Sequence, residues 1–205
     1  MTPKKNKIMK KAIIGNGGFG REVKALLLDN NPYENIVFFV DDQYVKEDLR
    51  PISKLDINEY EVVVAIGDPL VRKKIINNLP KNTKFFSAIH KSVQILDTNI
   101  EIGEGSIICS NCVLTTNIKI GRHTHLNLQT TIGHDTQIGD YLTTAPGVKI
   151  SGNCNIGDCV YIGTNASIRE KINICNDVTI GLNGGVVKHI NESGTYVGVP
   201  VKKLI

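Results

Sequence analysis

Aliphatic residues recur at every sixth position through the second half of the chain. Between residues 102 and 186, fourteen of fifteen such positions are aliphatic, and the exception is Thr144. This period fits neither an amphipathic helix, with about 3.6 residues per turn, nor an isolated strand, with about two. It is typical of a solenoid in which each hexapeptide forms one short strand and one corner. The positions are Ile102, Ile108, Leu114, Ile120, Leu126, Ile132, Ile138, Thr144, Ile150, Ile156, Ile162, Ile168, Ile174, Ile180 and Val186.

The repeat predicts a three-sided prism with its aliphatic residues pointing inward. Three faces close one coil of about 18 residues, so residues 102–186 predict between four and five stacked coils. We expect the residue directly after each inward position to turn the corner with a positive φ, which glycine adopts at least cost. Glycine stands there at Gly103, Gly121, Gly133, Gly139, Gly157, Gly163 and Gly181.

The first part of the chain has a different pattern, which predicts the start of a nucleotide-binding βαβ unit. Short apolar runs alternate with one glycine-rich turn and two segments of helical spacing. The predicted elements are strands at 11–15, 36–40 and 61–66, a turn at 16–20, helices at 21–29 and 72–79, and a crossing strand at 85–90.

Gly15, Gly17 and Gly20 match the dinucleotide-binding glycine pattern between a strand and a helix. Backbone N–H groups at the helix start near Gly18 would face a diphosphate, and Asp41-Asp42 ends the second strand where a ribose or base would lie. The alternative is that the glycines serve only close packing of strand on helix. An oxidoreductase is less favoured, because no catalytic domain of that kind follows.

Composition and charge narrow the possible partners. The 205 residues carry a net charge of only +4, with four lysines in the first ten residues and two more at 202–203, so no broad basic face for nucleic acid is predicted. No apolar run approaches the roughly 18 residues of a membrane span, and no signal peptide is evident. We therefore expect a cytoplasmic protein without membrane contact, in which residues 1–8 form a flexible tail.

Five cysteines, an odd number, favour reduced thiols over a disulfide framework. Cys109 and Cys112 form a CxxC pair without a second pair at zinc-site spacing, so they are expected to fill corners. A metal site built from His123, His125 and His134 is the alternative to the metal-free protein that we predict. For His123 and His125, a surface position or a trimer contact is favoured over the cleft. His189 is expected to be exposed.

Four segments carry a resemblance to a known family. They are residues 12–23, the Ala65-Ile-Gly67 segment, residues 127–139 with Gly133-His-Asp135, and residues 198–202. Over residues 9–205 the sequence resembles the NeuD/PglD-like sugar acyltransferases. The resemblance implies an α/β Rossmann-like half-domain at 1–86 that binds a nucleotide sugar. It also implies a left-handed parallel β-helix acetyltransferase domain with a carboxy-terminal cap at 87–205.

The resemblance also implies an activity. In this family acetyl-CoA, a co-substrate rather than a tightly bound cofactor, acetylates the amine of a nucleotide-linked amino-dideoxy sugar. A 4-amino-4,6-dideoxyhexose is expected here, for bacterial surface glycan such as O-antigen or capsule, and the enzyme is expected to be a homotrimer. The alternatives are O-acetylation of a sialic acid-type sugar and a catalytically silent subunit of a glycan-assembly complex.

Site residues follow from the same resemblance. His134 matches the catalytic base, a role that suits the aminolysis of a thioester, and Asp135 matches its acidic partner. Thr143 stands where many relatives have a second histidine, and a hydroxyl cannot replace that base. The implied sugar-nucleotide contacts are Gly15, Asn16, Gly17, Gly18, Asp41, Asp42, Ala65, Gly67 and Asn127. The implied acetyl-CoA contacts are Thr143, Gly152, Gly181, Pro200 and Lys202.

Overall fold

The computed structural model describes residues 9–46 and 48–204, so the predicted tail at 1–8 lies outside the described residues. The amino-terminal part is a parallel five-stranded sheet with strand order β3-β2-β1-β4-β5. Its elements are β1 (Lys10–Ile14), α1 (Gly18–Asn30), β2 (Ile36–Val40), β3 (Arg50–Pro51), β4 (Tyr60–Val64), α2 (Pro69–Asn78) and β5 (Lys84–Phe85), with 3₁₀ turns at Asp42–Tyr44 and Ile52–Lys54.

Both helices begin three residues earlier than the sequence pattern predicts. Gly17, with an extended backbone, is the N-cap of α1. In α2 the carboxylate of Asp68 accepts a hydrogen bond from the Val71 N–H at 2.9 Å, and Pro69 occupies the first helical position, where a missing N–H costs nothing. The N-caps are a glycine and an aspartate, which an apolar pattern does not reveal, and the first helical turns follow directly after them.

The second part is a left-handed parallel β-helix of about six turns. Its strands are β6 (Ala88–Ile89), β7 (Gln94–Ile95), β8 (Ile100–Ile102), β9 (Ile107–Ile108), β10 (Val113–Leu114), β11 (Ile118–Ile120), β12 (His125–Leu126), β13 (Thr131–Ile132), β14 (Gln137–Ile138), β15 (Thr143–Thr144), β16 (Lys149–Ile150), β17 (Asn155–Ile156), β18 (Tyr161–Ile162), β19 (Ser167–Ile168), β20 (Asn173–Ile174), β21 (Val178–Ile180), β22 (Gly185–Val186), β23 (Gly194–Val197) and β24 (Lys202–Lys203).

Every third strand stacks on the same side of the prism. The first face contains β6, β9, β12, β15, β18 and β21, the second face runs from β7 to β22, and the third face runs from β8 to β20. The inward residues form one continuous buried core that extends from Ile108 to Ile190. At the carboxy terminus, β23 adds to the first face beside β21 and pairs with β24 in antiparallel fashion, which caps the stack.

The β-helix starts two strands, β6 and β7, before the first position of the six-residue repeat at Ile102. Ile89 pairs with Ile108 and Ile95 with Leu114, a spacing of nineteen residues, whereas Ile102 and Ile120 are eighteen apart. One extra residue between β7 and β8 therefore shifts the register, and the repeat cannot be followed back beyond Ile102. The predicted crossing strand at 85–90 is in fact divided between β5 and β6.

The corners also differ from the prediction. Positive φ occurs at the third residue after the inward position, not at the glycine directly after it. At Gly133 the reason for glycine is close stacking, because an added Cβ would lie 2.6 Å from the backbone nitrogen of Gly152 in the next coil. The non-glycine residues with positive φ are Asn111, Asn117, His123, Gln129, Asp135, Tyr141, Asn153, Cys159, Asn165, Lys171, Asp177 and Asn183.

The amino-terminal sheet and helices pack on the first face. One buried cluster contains Val23 and Leu27 of α1 together with Ile107 of β9 and Cys109, which follows β9. The side-chain amide of Asn30 at the end of α1 donates to the Ile89 carbonyl at 2.6 Å. The two parts of the chain thus share a common core along this face.

Candidate active site

His134 lies at the corner between the second and third faces, which we call the His134 vertex (residues 133–136). Its Nδ1 is 2.8 Å from a carboxylate oxygen of Asp135. The other carboxylate oxygen accepts a hydrogen bond from the side-chain amide of Asn117, one coil earlier, at 2.7 Å. Asn117 was not among the predicted site residues, although its eighteen-residue spacing from Asp135 places both at the same corner.

These contacts favour an ionised Asp135 and one tautomer of His134. The hydrogen bond from Asn117, followed by that from His134, lowers the pKa of Asp135, so its carboxylate is ionised at neutral pH. An ionised carboxylate at Nδ1 favours the tautomer in which Nδ1 carries the proton and donates it to Asp135. Nε2 is then the basic nitrogen, and the ring is solvent-accessible, with 58% of the side chain exposed.

Gly152 occupies the equivalent corner position one coil after His134, and the imidazole lies directly against it. A Cβ added to Gly152 would be 2.6 Å from Nε2 of His134 and 2.7 Å from Cε1. Only a glycine leaves room for the ring in this position. The predicted base and one predicted acetyl-CoA contact therefore lie together at the vertex.

A second site is a cavity of about 780 Å³ at the carboxyl edge of the amino-terminal sheet. Gly15, Asn16, Gly17 and Asp41, which the sequence analysis predicts as sugar-nucleotide contacts, line this cavity. The sequence prediction missed other residues of the wall that come from α1, α2 and the segment after β2. They are Arg21, Gln43, Tyr44, Lys46, Lys74 and Asn78.

The three glycines of the turn have different reasons to be glycine. Gly15 has φ +105°, and an added Cβ would lie 2.8 Å from Cδ1 of Ile66. At Gly20 an added Cβ would collide with the Gly15 carbonyl, which is the packing role of the alternative interpretation. Around Gly17, in contrast, nothing lies within 4 Å of such a Cβ, so neither packing nor backbone strain requires glycine there.

Other predicted sugar-nucleotide residues lie near the cavity without lining it. Gly18 is the first residue of α1. Asp42 borders a smaller adjoining cavity and accepts a hydrogen bond from the Ser53 hydroxyl at 2.5 Å. Ala65 is buried at the end of β4. Asn127 lies elsewhere, at the corner between the first and second faces, where its side-chain oxygen accepts the Leu128 N–H at 2.7 Å.

Gly67 takes part in the contact between the two parts of the chain. Its carbonyl accepts hydrogen bonds from the Thr143 hydroxyl at 2.7 Å and from Arg72 at 3.3 Å. Thr143 is buried on the first face, away from the His134 vertex. The structure thus does not bring Thr143 to the base of its own chain.

Arg72, which the sequence analysis did not select, is buried beneath this contact. Burial lowers its pKa to about 9, so it remains charged at neutral pH. Its guanidinium donates to carbonyls of Ile66 at 2.6 Å, Gly67 at 3.3 Å, His123 at 3.0 Å, Tyr141 at 2.7 Å and Leu142 at 3.1 Å. A lone arginine in a polar helix gives no sequence signal for this role.

The expectation that His123 and His125 lie at the surface or in a trimer contact is wrong. Both are buried beneath the amino-terminal part of their own chain. His123 stacks on Tyr141 with ring centroids 5.5 Å apart, and Nδ1 of His125 is 3.2 Å from Arg72. Neither shares a corner with His134, so the three histidines do not converge on a common ligand position. His189 is exposed, as expected.

The buried histidines predict acid sensitivity. Burial, followed by the charges of Arg122 and Arg72, lowers the pKa of His123 to about 4. In the unfolded chain a histidine titrates near 6.5, so below that pH the unfolded state binds a proton that the folded state does not. The contribution of His123 to the free energy of unfolding is therefore fully present above about pH 6.5 and is lost as the pH falls towards 4. Burial also lowers the pKa of His125, which adds to the effect.

The measurement is denaturant unfolding of the wild type and of His123→Phe at pH 7 and pH 4.5. We expect the wild type to lose about 2–3 kcal/mol more than the variant over this interval, because phenylalanine cannot titrate. Groups other than His123 titrate in both proteins and cancel in the comparison. Equal losses in the two proteins would show that His123 does not contribute.

The remaining predicted acetyl-CoA residues lie at the carboxy-terminal end of the β-helix. The Gly181 N–H donates to the Tyr196 carbonyl at 2.8 Å. Pro200 and Lys202 are exposed in and after the turn between β23 and β24. In the described ranges 9–46 and 48–204, neither α-helix is long and apolar enough to cross a membrane.

Comparisons with known proteins agree with this architecture. The PglD N-terminal domain family matches residues 10–79. WeeI from Acinetobacter baumannii AYE is 34% identical, with a TM-score of 0.85, over 96% of this chain and 100% of that one. The acetyltransferase domain of PglB from Neisseria gonorrhoeae FA1090, in complex with acetyl coenzyme A, is 26% identical, with a TM-score of 0.86, over 97% and 100% of the two chains.

PerB from Caulobacter crescentus, in complex with CoA and GDP-perosamine, is 23% identical, with a TM-score of 0.86, over 97% of this chain and 98% of that one. At this identity the likeness shows the fold alone. Comparison with curated protein sequences finds no match.

A Rossmann-like half-domain joined to a hexapeptide β-helix, with a histidine–carboxylate pair at one vertex, defines an acyltransferase of the hexapeptide-repeat class. The match to the PglD N-terminal domain and the full-length similarity to WeeI specify it further. The chain belongs to the PglD/NeuD-like sugar acetyltransferases and is an enzyme of that family.

Proposed function

We propose that this enzyme transfers an acetyl group from acetyl-CoA to the amine of a nucleotide-linked amino-dideoxy sugar, most simply a 4-amino-4,6-dideoxyhexose. The observation that carries the proposal is the His134 vertex, where Asp135 holds Nδ1 at 2.8 Å and leaves Nε2 as the basic nitrogen. The PglB acetyltransferase domain, with this fold, binds acetyl coenzyme A, which supports the choice of donor.

The reaction needs one base and no covalent enzyme intermediate. The sugar amine attacks the thioester carbonyl, so that a C–N bond forms and the C–S bond breaks with the thiolate of CoA as leaving group. Nε2 of His134 takes the proton that the amine loses, and the ionised Asp135 stabilises the resulting imidazolium. CoA thiolate then takes up a proton from solvent.

Gly152 is suited to a second role in this step. In the described residues the Gly152 N–H makes no hydrogen bond to another backbone group, and a Cβ added to this residue would lie against the imidazole. We assign this N–H as a donor to the oxygen that becomes negative when the amine attacks the carbonyl. Such a donor contributes roughly 3 kcal/mol in other acyl transfers.

The cavity of the amino-terminal part suits the nucleotide. The α1 start at Gly18 offers backbone N–H groups to a diphosphate, and Arg21 and Lys74 add two cations to the same cavity. A nucleotide site of this kind favours N-acetylation of a nucleotide-linked sugar over O-acetylation of a free sialic acid.

One chain does not bring the cavity and the base together. The part that contains the cavity packs on the first face, whereas His134 lies at the corner opposite that face. A second copy that presents its His134 to the cavity would complete the site. We therefore propose a homotrimer with the active site between neighbouring prisms. Sedimentation that shows a monomer at micromolar concentration would contradict it.

The test of the reaction is thiol release from acetyl-CoA with a panel of sugar acceptors. The panel contains UDP-, dTDP- and GDP-linked 4-amino-4,6-dideoxyhexoses together with free sialic acid. Turnover with one of the sugar nucleotides identifies the reaction class and the nucleotide base in one experiment. Mass spectrometry of the product distinguishes an amide from an ester. Turnover with sialic acid alone would replace the proposal by O-acetylation, and no turnover with any member would favour a silent subunit.

The cellular role that we propose is acetylation of a precursor for bacterial surface glycan, such as O-antigen or capsule. The five cysteines form no disulfide and suit a reducing compartment, so we propose that the enzyme works in the cytoplasm.

Gly17 gives a direct test of the nucleotide site. Gly17→Val places a branched side chain in open cavity space, so we expect the KM for the sugar nucleotide to rise about tenfold. The KM for acetyl-CoA should stay near the wild-type value, and the melting temperature should fall by only a few degrees, because valine is a poorer N-cap of α1 than glycine. Gly20→Ala is the control, because its Cβ meets the Gly15 carbonyl and should lower stability. Equal KM changes for both substrates in Gly17→Val would show that Gly17 does not contact the nucleotide.

A further inference from the structure

Residues 65–68, which we call the Gly67 loop, connect the wall of the nucleotide cavity to the β-helix. The Ala65 N–H donates to the Ile14 carbonyl at 2.8 Å, which fixes the start of the loop to the sheet. The Ile66 side chain lines the cavity and lies close to Gly15. A displacement of the loop would therefore move a wall of the cavity.

The other end of the loop is attached to the first face. Thr143 in β15 donates its hydroxyl to the Gly67 carbonyl at 2.7 Å, and Arg72 donates to the carbonyls of both Ile66 and Gly67. The same guanidinium binds carbonyls of Tyr141 and Leu142 in the β-helix. One side chain thus joins the loop to the corner that precedes β15.

Arginine is suited to this contact for a chemical reason. Its planar guanidinium presents five N–H donors in a fixed fork, whereas a lysine ammonium offers three from a single point. All of the oxygen acceptors that Arg72 contacts are neutral backbone carbonyls, so its placement follows backbone positions in both parts of the chain. The strength of this contact therefore depends on the positions of the loop carbonyls and not on a charged partner.

We propose that Arg72 and Thr143 form a clamp that sets the Gly67 loop against the β-helix and so shapes the sugar-nucleotide cavity. The inference rests on the proposed function. Thr143 is then a positioning residue for the acceptor substrate, which differs from the acetyl-CoA contact that the family resemblance implies. When the Thr143 hydroxyl is removed, the positioning role predicts a rise in the KM for the sugar nucleotide, whereas a direct acetyl-CoA contact predicts a rise in the KM for acetyl-CoA.

The kinetic test is Thr143→Val, which removes the hydroxyl and keeps the branched shape. We expect the KM for the sugar nucleotide to rise about fivefold, the effect of one hydrogen bond of ordinary strength, with the KM for acetyl-CoA and kcat within twofold of the wild type. Thr143→Ser retains the hydroxyl and should restore the wild-type KM. Thr83→Val is the matched control, because Thr83 also donates to a carbonyl at 2.7 Å, that of Pro80, outside the clamp.

A second measurement needs no substrate. Amide hydrogen exchange of residues 66–71 should be faster in Thr143→Val than in the wild type, and unchanged in Thr83→Val. A rise in the KM for acetyl-CoA alone, or unchanged exchange in this segment, would overturn the clamp. Titration of the wild type with UDP, dTDP and GDP tests the proposed nucleotide site separately. If none of them binds, the proposed function fails, and the exchange result alone decides on the clamp.

Discussion

His134→Ala is expected to lower kcat by about 10²- to 10⁴-fold with the true acceptor, the usual range for removal of a general base. The reason is that the described residues around the vertex offer no second base. Asp135 is held ionised by Asn117, and hydroxyls are too weakly basic. The measurement is steady-state thiol release at saturating concentrations of both substrates.

The side chain of His134 is exposed, so its removal should leave the fold intact. The melting temperature and the oligomeric state should match the wild type. His189→Ala is the matched control, because His189 is also an exposed histidine on the β-helix and lies outside the vertex. Asp135→Asn should cost less than His134→Ala, since it changes the orientation and charge of the base without deleting it. A His134→Ala variant that keeps a third of wild-type turnover would show that solvent or substrate takes the proton.

Features that repeat along the chain could be predicted from the sequence. The inward aliphatic positions from Ile102 to Val186 correspond to strands of the β-helix, because burial of one face per hexapeptide leaves a fixed period. The order of a buried strand, a glycine turn and a helix at the start of the chain was also predictable, although α1 begins at Gly18, inside the predicted turn. In both cases the determining interactions are local or strictly periodic.

Features that depend on contacts between distant segments could not be predicted. Arg72 binds carbonyls 51 to 70 residues away, and nothing in its own segment encodes them. His123 and His125 alternate with a threonine, as exposed strand residues do, and only the amino-terminal part of the chain buries them. Strands β6 and β7 fall outside the six-residue period for a different reason, the single extra residue before Ile102, which breaks the period without breaking the stack.

The features of the candidate site also divide into those that neighbouring residues determine and those that depend on distant contacts. Nearest neighbours in sequence, His134 and Asp135, form the hydrogen-bonded pair that was predicted, because a corner turns both side chains outward. Asn117 could have been predicted by stepping back one coil of eighteen residues from Asp135. Thr143 was placed by resemblance to relatives with a histidine, whereas its hydroxyl is bonded to Gly67 in this chain.

Gly152→Ala is expected to lower kcat by about a hundredfold, even though it adds a single methyl group. The new Cβ would lie 2.6 Å from Nε2 of His134, too close for any real contact, so the imidazole must move. A displacement of about 1 Å in a catalytic group is enough to cost roughly 10²-fold in rate. The fold should survive, because the three nearest atoms all belong to the exposed ring of His134 and not to the backbone.

Gly133→Ala supplies the contrast. Its Cβ would meet the backbone nitrogen of Gly152 at 2.6 Å, so the coils themselves must separate and the melting temperature should fall. Gly152→Ala should instead melt like the wild type. In a His134→Ala background, the Gly152→Ala change should cost little further activity, because the ring that it displaces is already absent. A full hundredfold loss in that background would place the effect of Gly152 on its backbone N–H and the acetyl oxygen, independent of the base.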